Sequence, residues 1–164
     1  MPIPVGSKAP DFELSTKTAE GPKKLKLSSN FGSRNTVLLF VPMAFTSVCT
    51  KEMCEVSQGL QQYTDLNATV WGISGDNPFA QEAWAQKEKI TLPLLSDYEH
   101  KVAQTYQVAY ASFLPQLNLG MAGVPKRSAF VIDKQGVVQY AESNDDPKQL
   151  PNFNAIKETL KKLK

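Results

Sequence analysis

Both cysteines of this 164-residue chain lie in one stretch, Pro42-Met-Ala-Phe-Thr46-Ser-Val-Cys49-Thr-Lys-Glu52-Met-Cys54. The stretch follows the apolar run Thr36-Val-Leu-Leu-Phe-Val41 and leads into a segment with helically spaced apolar residues. That order reads as a strand, a tight turn, and a helix with a thiol in its first turn. Unpaired backbone N–H groups and the helix dipole at such a position favour an anionic sulfur. The thiolate, not the thiol, is the nucleophile. Thr46, three residues earlier, offers a hydroxyl that can reach the sulfur or a substrate oxygen. The same pattern has a plainer explanation, with Thr46 or Ser47 as an N-cap and Cys49 as a small buried hydrophobe. Spacing alone does not separate the two.

Other chemistries are easier to set aside. The single His100 excludes a His-rich metal site, and two cysteines are too few for a structural zinc, which takes four ligands. No cofactor or metal is expected. A Cys-x5-Arg phosphatase loop fails because Glu55 occupies the sixth position after Cys49. The net charge of +2 is small, and the lysines at Lys23, Lys24, Lys26, Lys161, Lys162 and Lys164 read as solvated surface rather than a nucleic-acid footprint. No apolar run approaches the ~20 residues of a membrane span. The opening Met-Pro-Ile-Pro-Val-Gly lacks a basic-then-apolar leader pattern. The expectation is a cytoplasmic protein. In a reducing compartment, two cysteines are more often catalytic or redox-active than a permanent staple.

The elements that must position the thiol follow in order. With 41% hydrophobic and 21% charged residues, residues 1–164 suit one domain with its own core. Asp11–Leu14 and Lys23–Leu27 alternate polar and apolar around the turn signal Glu20-Gly-Pro22, which predicts an N-terminal hairpin. Thr36–Val41 and Ala68–Ile73 are nearly all apolar, as strands buried on both faces are. The spacing predicts helices over about 46–65, weakened at Gly59, over 79–88, with Phe79, Ala83 and Trp84 inward, and over 99–106. Pro93 argues that Leu92–Leu95 is a strand end or edge. Residues 108–125 show no regular pattern. Arg127–Asp133 and Val137–Tyr140 flank the turn Lys134-Gln-Gly136. Ile156, Leu160 and Leu163 mark a closing amphipathic helix. The result is an α/β domain with a central mixed sheet flanked by helices. Catalytic groups in such sheets sit beyond the carboxyl ends of parallel strands, where the Pro42–Cys54 stretch lies.

Pro42-x-x-x-Thr46-x-x-Cys49 resembles the active-site motif of the peroxiredoxins, thiol peroxidases on a thioredoxin-like fold. Ala9-Pro-Asp-Phe12, Leu92-Pro-Leu-Leu-Ser-Asp97, and Arg127-x-x-Phe-Val-Ile-Asp133 with Gly136 resemble further family segments in the same order. The resemblance covers nearly the whole chain. It implies that Cys49 is the peroxidatic cysteine, that Thr46 hydrogen-bonds the peroxide, and that Arg127 holds the thiolate and the peroxide oxygens. It implies that Pro42 shields the site and that Glu52 helps to orient the arginine. The chemistry agrees: charge developing on the leaving oxygen needs fixed donors, and arginine supplies a permanent charge with a forked set of them.

Attack on a peroxide leaves a sulfenic acid, which a second thiol can condense to a disulfide. Cys54 is the internal candidate. Five residues along an ideal helix separate two Cα atoms by roughly 8–9 Å, against the less than about 7 Å that a disulfide needs. Resolution by Cys54 therefore requires the first turns of the helix to unwind. The Cys-x4-Cys spacing resembles Q-type (bacterioferritin-comigratory) peroxiredoxins, which resolve in this way. Ala44-Phe-Thr-Ser-Val-Cys49 and the tail Asn144–Phe153 resemble the alkyl hydroperoxide reductase E-like branch, where many members are reduced directly by an external thiol. The resemblance implies thioredoxin or a glutaredoxin-like protein as reductant, and a homodimer through the apolar 108–124 region. A thioredoxin-like disulfide oxidoreductase would normally carry Cys-x-x-Cys; a non-catalytic redox sensor is the other alternative.

Overall fold

A computed structural model describes residues 1–164. Its centre is β3 (Asn35–Phe40), every residue of which is buried. β4 (Ala68–Ser74) runs parallel to it in register from Asn35 opposite Ala68 to Phe40 opposite Ile73. β6 (Arg127–Ile132) runs antiparallel on its other side, from Thr36 opposite Ile132 to Phe40 opposite Ser128. With β1 (Glu13–Thr18), β2 (Gly21–Lys26), β5 (Leu94–Ser96) and β7 (Val138–Asn144) the sheet has seven strands in the order β2-β1-β5-β4-β3-β6-β7. The N-terminal hairpin forms as expected, with Thr18 facing Gly21 across its turn.

Alternation along the strands feeds two cores. Val37, Leu39 and Val41 point to one face; Leu38 and Phe40 point to the other. The first face is covered by α1 (Ser47–Gln58), α2 (Leu60–Asp65), α3 (Pro78–Glu88) and α5 (Phe153–Leu163), which bring Met53, Val56, Tyr63, Trp84, Ile156 and Leu160 to it. The second is covered by the extended N-terminus and α4 (Lys101–Thr105), with Tyr106 packed against Phe40 and Phe130 at ring centroid distances of 5.6 and 5.2 Å. No helix is long and apolar enough to cross a membrane.

Three details differ from the sequence expectations, and the strand end expected at Pro93 is met, though β5 lies inside the sheet. The helix over 46–65 is two helices, α1 and α2, parted at Gly59, where a residue without Cβ stabilises the helical backbone least. In α3, Phe79 and Ala83 face outward, Phe79 being 67% exposed, and the inner positions belong to Trp84 and Gln81. Gln81 occupies a buried place because its amide donates to Ser74 Oγ and to the Leu95 carbonyl, a pairing that apolar periodicity cannot reveal. β5 is an interior strand, and Pro93 falls just before it, where a missing N–H leaves no ladder bond unmade. The last helix before the irregular region is shorter, 101–105, because His100 adopts a left-handed conformation at its start.

Candidate active site

The site is built where β3 ends. Pro42, buried, follows the strand, and the chain turns through Met43–Thr46 into α1. The Ala44 N–H donates to Asp76 Oδ2 at 2.8 Å, and Ser74 Oγ donates to the same oxygen at 2.7 Å. This ties the turn to the loop after β4. Phe45 sits at φ 64°, a left-handed geometry costing a non-glycine residue roughly 1–2 kcal/mol, so neighbouring contacts must hold it there.

Thr46 is the N-cap of α1, but its hydroxyl does not cap the helix; it donates to the Met43 carbonyl at 2.7 Å and is exposed. Cys49 is the third residue of α1 and only 1% exposed. Glu52, one turn on, lies on the same helix face and is fully buried. Arg127 opens β6. Because β6 is antiparallel to β3, its first residue lies beside the carboxyl end of β3 and reaches α1 from the side.

The three side chains meet. Arg127 Nη2 donates to Cys49 Sγ at 3.2 Å, and Nη1 donates to Glu52 Oε1 at 3.0 Å. Nε donates to the Pro147 carbonyl at 3.0 Å. A guanidinium carries five N–H groups. Three are engaged here, and two remain. Burial alone would lower the Arg127 pKa, but the Cys49 sulfur and the Glu52 carboxylate facing it raise it. Burial pushes Glu52 up to about 7, with Arg127 opposing and Glu142 and Glu55 adding to the rise. Glu52 Oε2 has no partner, in keeping with a carboxyl group that burial drives toward its protonated form.

Cys54 lies further along α1, half-buried, and its thiol contacts the Glu88 carbonyl at the end of α3 at 3.5 Å. Burial, and then Glu88, raises its pKa. Both thiols are free. Trp84, fully buried in α3, donates its indole N–H to Thr50 Oγ1 at 2.9 Å and so joins the first turn of α1 to α3. No group of three or more His, Cys, Asp or Glu residues is arranged to hold a metal ion. His100 packs its ring against Gly75, where a Cβ would collide with Cε1.

Of the six residues singled out from sequence, Cys49, Glu52 and Arg127 form one hydrogen-bonded cluster. Pro42 and Thr46 frame the turn leading into it, and Cys54 faces a different element. Sequence reasoning missed Asp76 and Pro147. Asp76 lies in the loop before α3, whose N-cap is its neighbour Asn77, accepting from the Ala80 N–H, so nothing local marks Asp76 as the acceptor of the turn after β3. Pro147 acts through its carbonyl, which every residue has, so nothing in its identity could have marked it.

The AhpC/TSA family matches residues 5–141. The alkyl hydroperoxide reductase E of Mycobacterium bovis is 32% identical over 138 residues, 84% of either chain. The chloroplastic 2-Cys peroxiredoxin BAS1 of Spinacia oleracea is 31% identical over 97% of this chain, which spans only 58% of that longer protein. Among solved structures, peroxidoxin BcpB of Mycobacterium tuberculosis superposes with a TM-score of 0.80 at 29% identity, over 98% of this chain and 97% of that one. With a thioredoxin-like α/β sheet of this order and a family match over most of its length, the chain belongs to the AhpC/TSA family and is a peroxiredoxin, a thiol-dependent hydroperoxide reductase.

Proposed function

We propose that Cys49 is the peroxidatic residue, with Arg127 as its electrostatic partner and Thr46 and Pro42 shaping the peroxide's approach. The observation that carries this is the 3.2 Å contact from Arg127 Nη2 to Cys49 Sγ inside a buried cluster. The substrate is hydrogen peroxide or an organic hydroperoxide. Sulfur bonds to one peroxide oxygen, the O–O bond breaks, and the leaving hydroxide or alkoxide takes up a proton. Cys49 is left as a sulfenic acid. The two free N–H groups of Arg127 serve the oxygens, whose charge grows as the bond breaks, while the Thr46 hydroxyl, its proton on the Met43 carbonyl, accepts from the peroxide O–H and orients it. Glu52 orients the guanidinium.

Cys54 then condenses with the sulfenic acid, forming an intrachain disulfide and releasing water. Residues five apart on one helix are too distant to bridge, so α1 must unwind at its N-terminal end first. A dithiol donor of the thioredoxin or glutaredoxin type reduces the disulfide and is itself oxidised. One observation favours a second reading, direct reduction of the Cys49 sulfenic acid by an external thiol. Cys54 is turned to the Glu88 carbonyl, and its raised pKa disfavours the thiolate that would attack. Leu117 and Leu119, 55% and 61% exposed, support a homodimer through the 108–124 region.

The test is peroxide consumption with a thioredoxin system and with a glutaredoxin system, wild type against Cys49→Ser, followed by mass spectrometry of the oxidised chain. Loss of turnover in Cys49→Ser with a Cys49–Cys54 disulfide in the wild type supports the two-cysteine route. A Cys49 sulfenic or sulfinic acid without an intrachain disulfide supports the one-cysteine route. Wild-type turnover in Cys49→Ser removes Cys49 from the reaction.

A further inference from the structure

Glu142 lies on β7 and hydrogen-bonds to neither Cys49 nor Arg127, yet both oxygens of its carboxylate are occupied. Oε1 accepts from the Tyr140 hydroxyl at 2.6 Å and from the Asn152 backbone N–H at 2.9 Å; Oε2 accepts from Asn144 Nδ2 at 3.2 Å. Asn144 is the last residue of β7, and Asn152 is the N-cap of α5. They are the two ends of the segment that joins β7 to α5. The middle of that segment provides the Pro147 carbonyl, the acceptor of Arg127 Nε.

We propose that Glu142 is a positioning residue for Arg127. By holding Asn144 and Asn152 together it closes residues 144–152 into a strap, and the strap aims the guanidinium at Cys49 through Pro147. A guanidinium is planar, so an acceptor fixed at Nε sets the directions of both terminal nitrogens. The bond to Glu52 Oε1 alone would leave the plane free to pivot about that contact. The second acceptor removes the pivot, and Nη2 then points at Sγ. The strap is also anchored on its near side: Lys126 Nζ pairs with Asp145 Oδ1 at 2.7 Å, and the Tyr110 hydroxyl donates to the Asp145 carbonyl at 2.6 Å. Lys126 immediately precedes Arg127, and Arg127 pairs with Asn144 in the β6–β7 ladder, so chain and strap are fixed together at the arginine. A misplacement of about 1 Å at a reacting centre can cost on the order of 10²-fold in rate.

This rests on Arg127 being the donor to the peroxide, as proposed above. Glu142 also acts on Glu52 by charge, which gives a rival explanation that substitution can separate. Glu142→Gln removes the charge but keeps the reach and the Oε1 acceptor, and its new Nε2–H donates to Asn144 once that amide turns its Oδ1 inward, so both ends of the strap stay held. Glu142→Asp keeps the charge and shortens the reach by one methylene, so it cannot span both ends of the strap. The measurement is the second-order rate of Cys49 oxidation by hydrogen peroxide in stopped flow, with alkylation of Cys49 by iodoacetamide as reference and a thermal melt to confirm folding. Glu142→Asp should lose about tenfold or more in the peroxide rate and much less in the alkylation rate, whereas Glu142→Gln stays within about threefold of wild type. The inference is overturned if Glu142→Asp keeps the wild-type rate, if Glu142→Gln is the more impaired variant, or if both reactions slow by the same factor. Arg127→Ala is the control for the underlying assignment. If it too keeps the wild-type peroxide rate, the role of Arg127 itself fails; if it is slow while Glu142→Asp is not, only the strap fails.

Discussion

The Arg127 guanidinium and the Glu52 carboxylate meet at 3.0 Å, with Arg127 1% exposed and Glu52 not exposed at all. Removing either partner leaves the other without compensation in a region that water does not reach. The cluster is therefore sensitive in stability as well as in chemistry.

Arg127→Ala and Arg127→Lys should both lower the rate of peroxide reduction by about 10²–10³-fold, the usual effect of losing a fixed donor to a developing oxyanion. Lysine keeps the charge but cannot engage Cys49, Glu52 and Pro147 together. Peroxide consumption by purified variants checks this, and a lysine variant near wild-type activity would contradict it. At pH 8, where Glu52 is ionised, Arg127→Ala should also destabilise the fold by about 3 kcal/mol in urea titration, because the buried carboxylate loses its counter-charge.

Glu52 holds its proton more tightly in the folded chain than its ordinary value of 4.5 implies, up to about 7. A raised folded-state value gives stability that is complete below pH 4.5 and is lost as pH rises through 7. Glu52 should therefore contribute about 3 kcal/mol less at pH 8 than at pH 4.5. Glu52→Gln, neutral throughout, should flatten that part of the stability profile. Urea titrations at both pH values provide the comparison, and parallel profiles for wild type and variant would rule the account out.

Trp84 fastens the first turn of α1 through Thr50. Trp84→Phe keeps most of the ring volume and removes the N–H donor. Losing one hydrogen bond of about 1 kcal/mol should make opening of that turn roughly fivefold easier. If resolution by Cys54 waits for that opening, the disulfide should form about fivefold faster, while sulfenic acid formation is little changed. Quenched-flow alkylation followed by mass spectrometry measures both steps. Equal disulfide rates would mean that this bond does not gate resolution.

Asp76→Ala removes the acceptor of both the Ala44 N–H and the Ser74 hydroxyl. An unpaired buried donor costs about 1–3 kcal/mol. The turn carrying Phe45 at positive φ should loosen, lowering both the melting temperature and the peroxide rate. A variant that melts lower but reacts at the wild-type rate would separate the turn from the chemistry.

Much of the fold was legible because local patterns dominate it. The apolar runs of β3 and β4 have to be buried on both faces, and they are. The hairpin turn at Glu20 and the amphipathic α5 follow the same logic. The misreadings came where a polar residue took an inner place through its hydrogen bonds, as Gln81 does, or where a weak helix former parted one helix into two, as Gly59 does. Pro93 was read correctly as a strand terminus, but the sheet order that makes β5 an interior strand is not written in its own residues.

By itself the sequence determined that a thiol would stand in the first turn of a helix beyond a buried strand, and that Glu52 would share its face. Both follow from helical and strand periodicity over a few residues. Only the tertiary structure decided what meets that thiol. Arg127 is 78 residues away and arrives because β6 lies antiparallel beside β3. Pro147 offers a backbone carbonyl that no residue type announces, and Asp76 holds the turn from another loop. Such contacts depend on which strands are neighbours and in what register, and that is settled by burial across the whole sheet rather than by any local pattern.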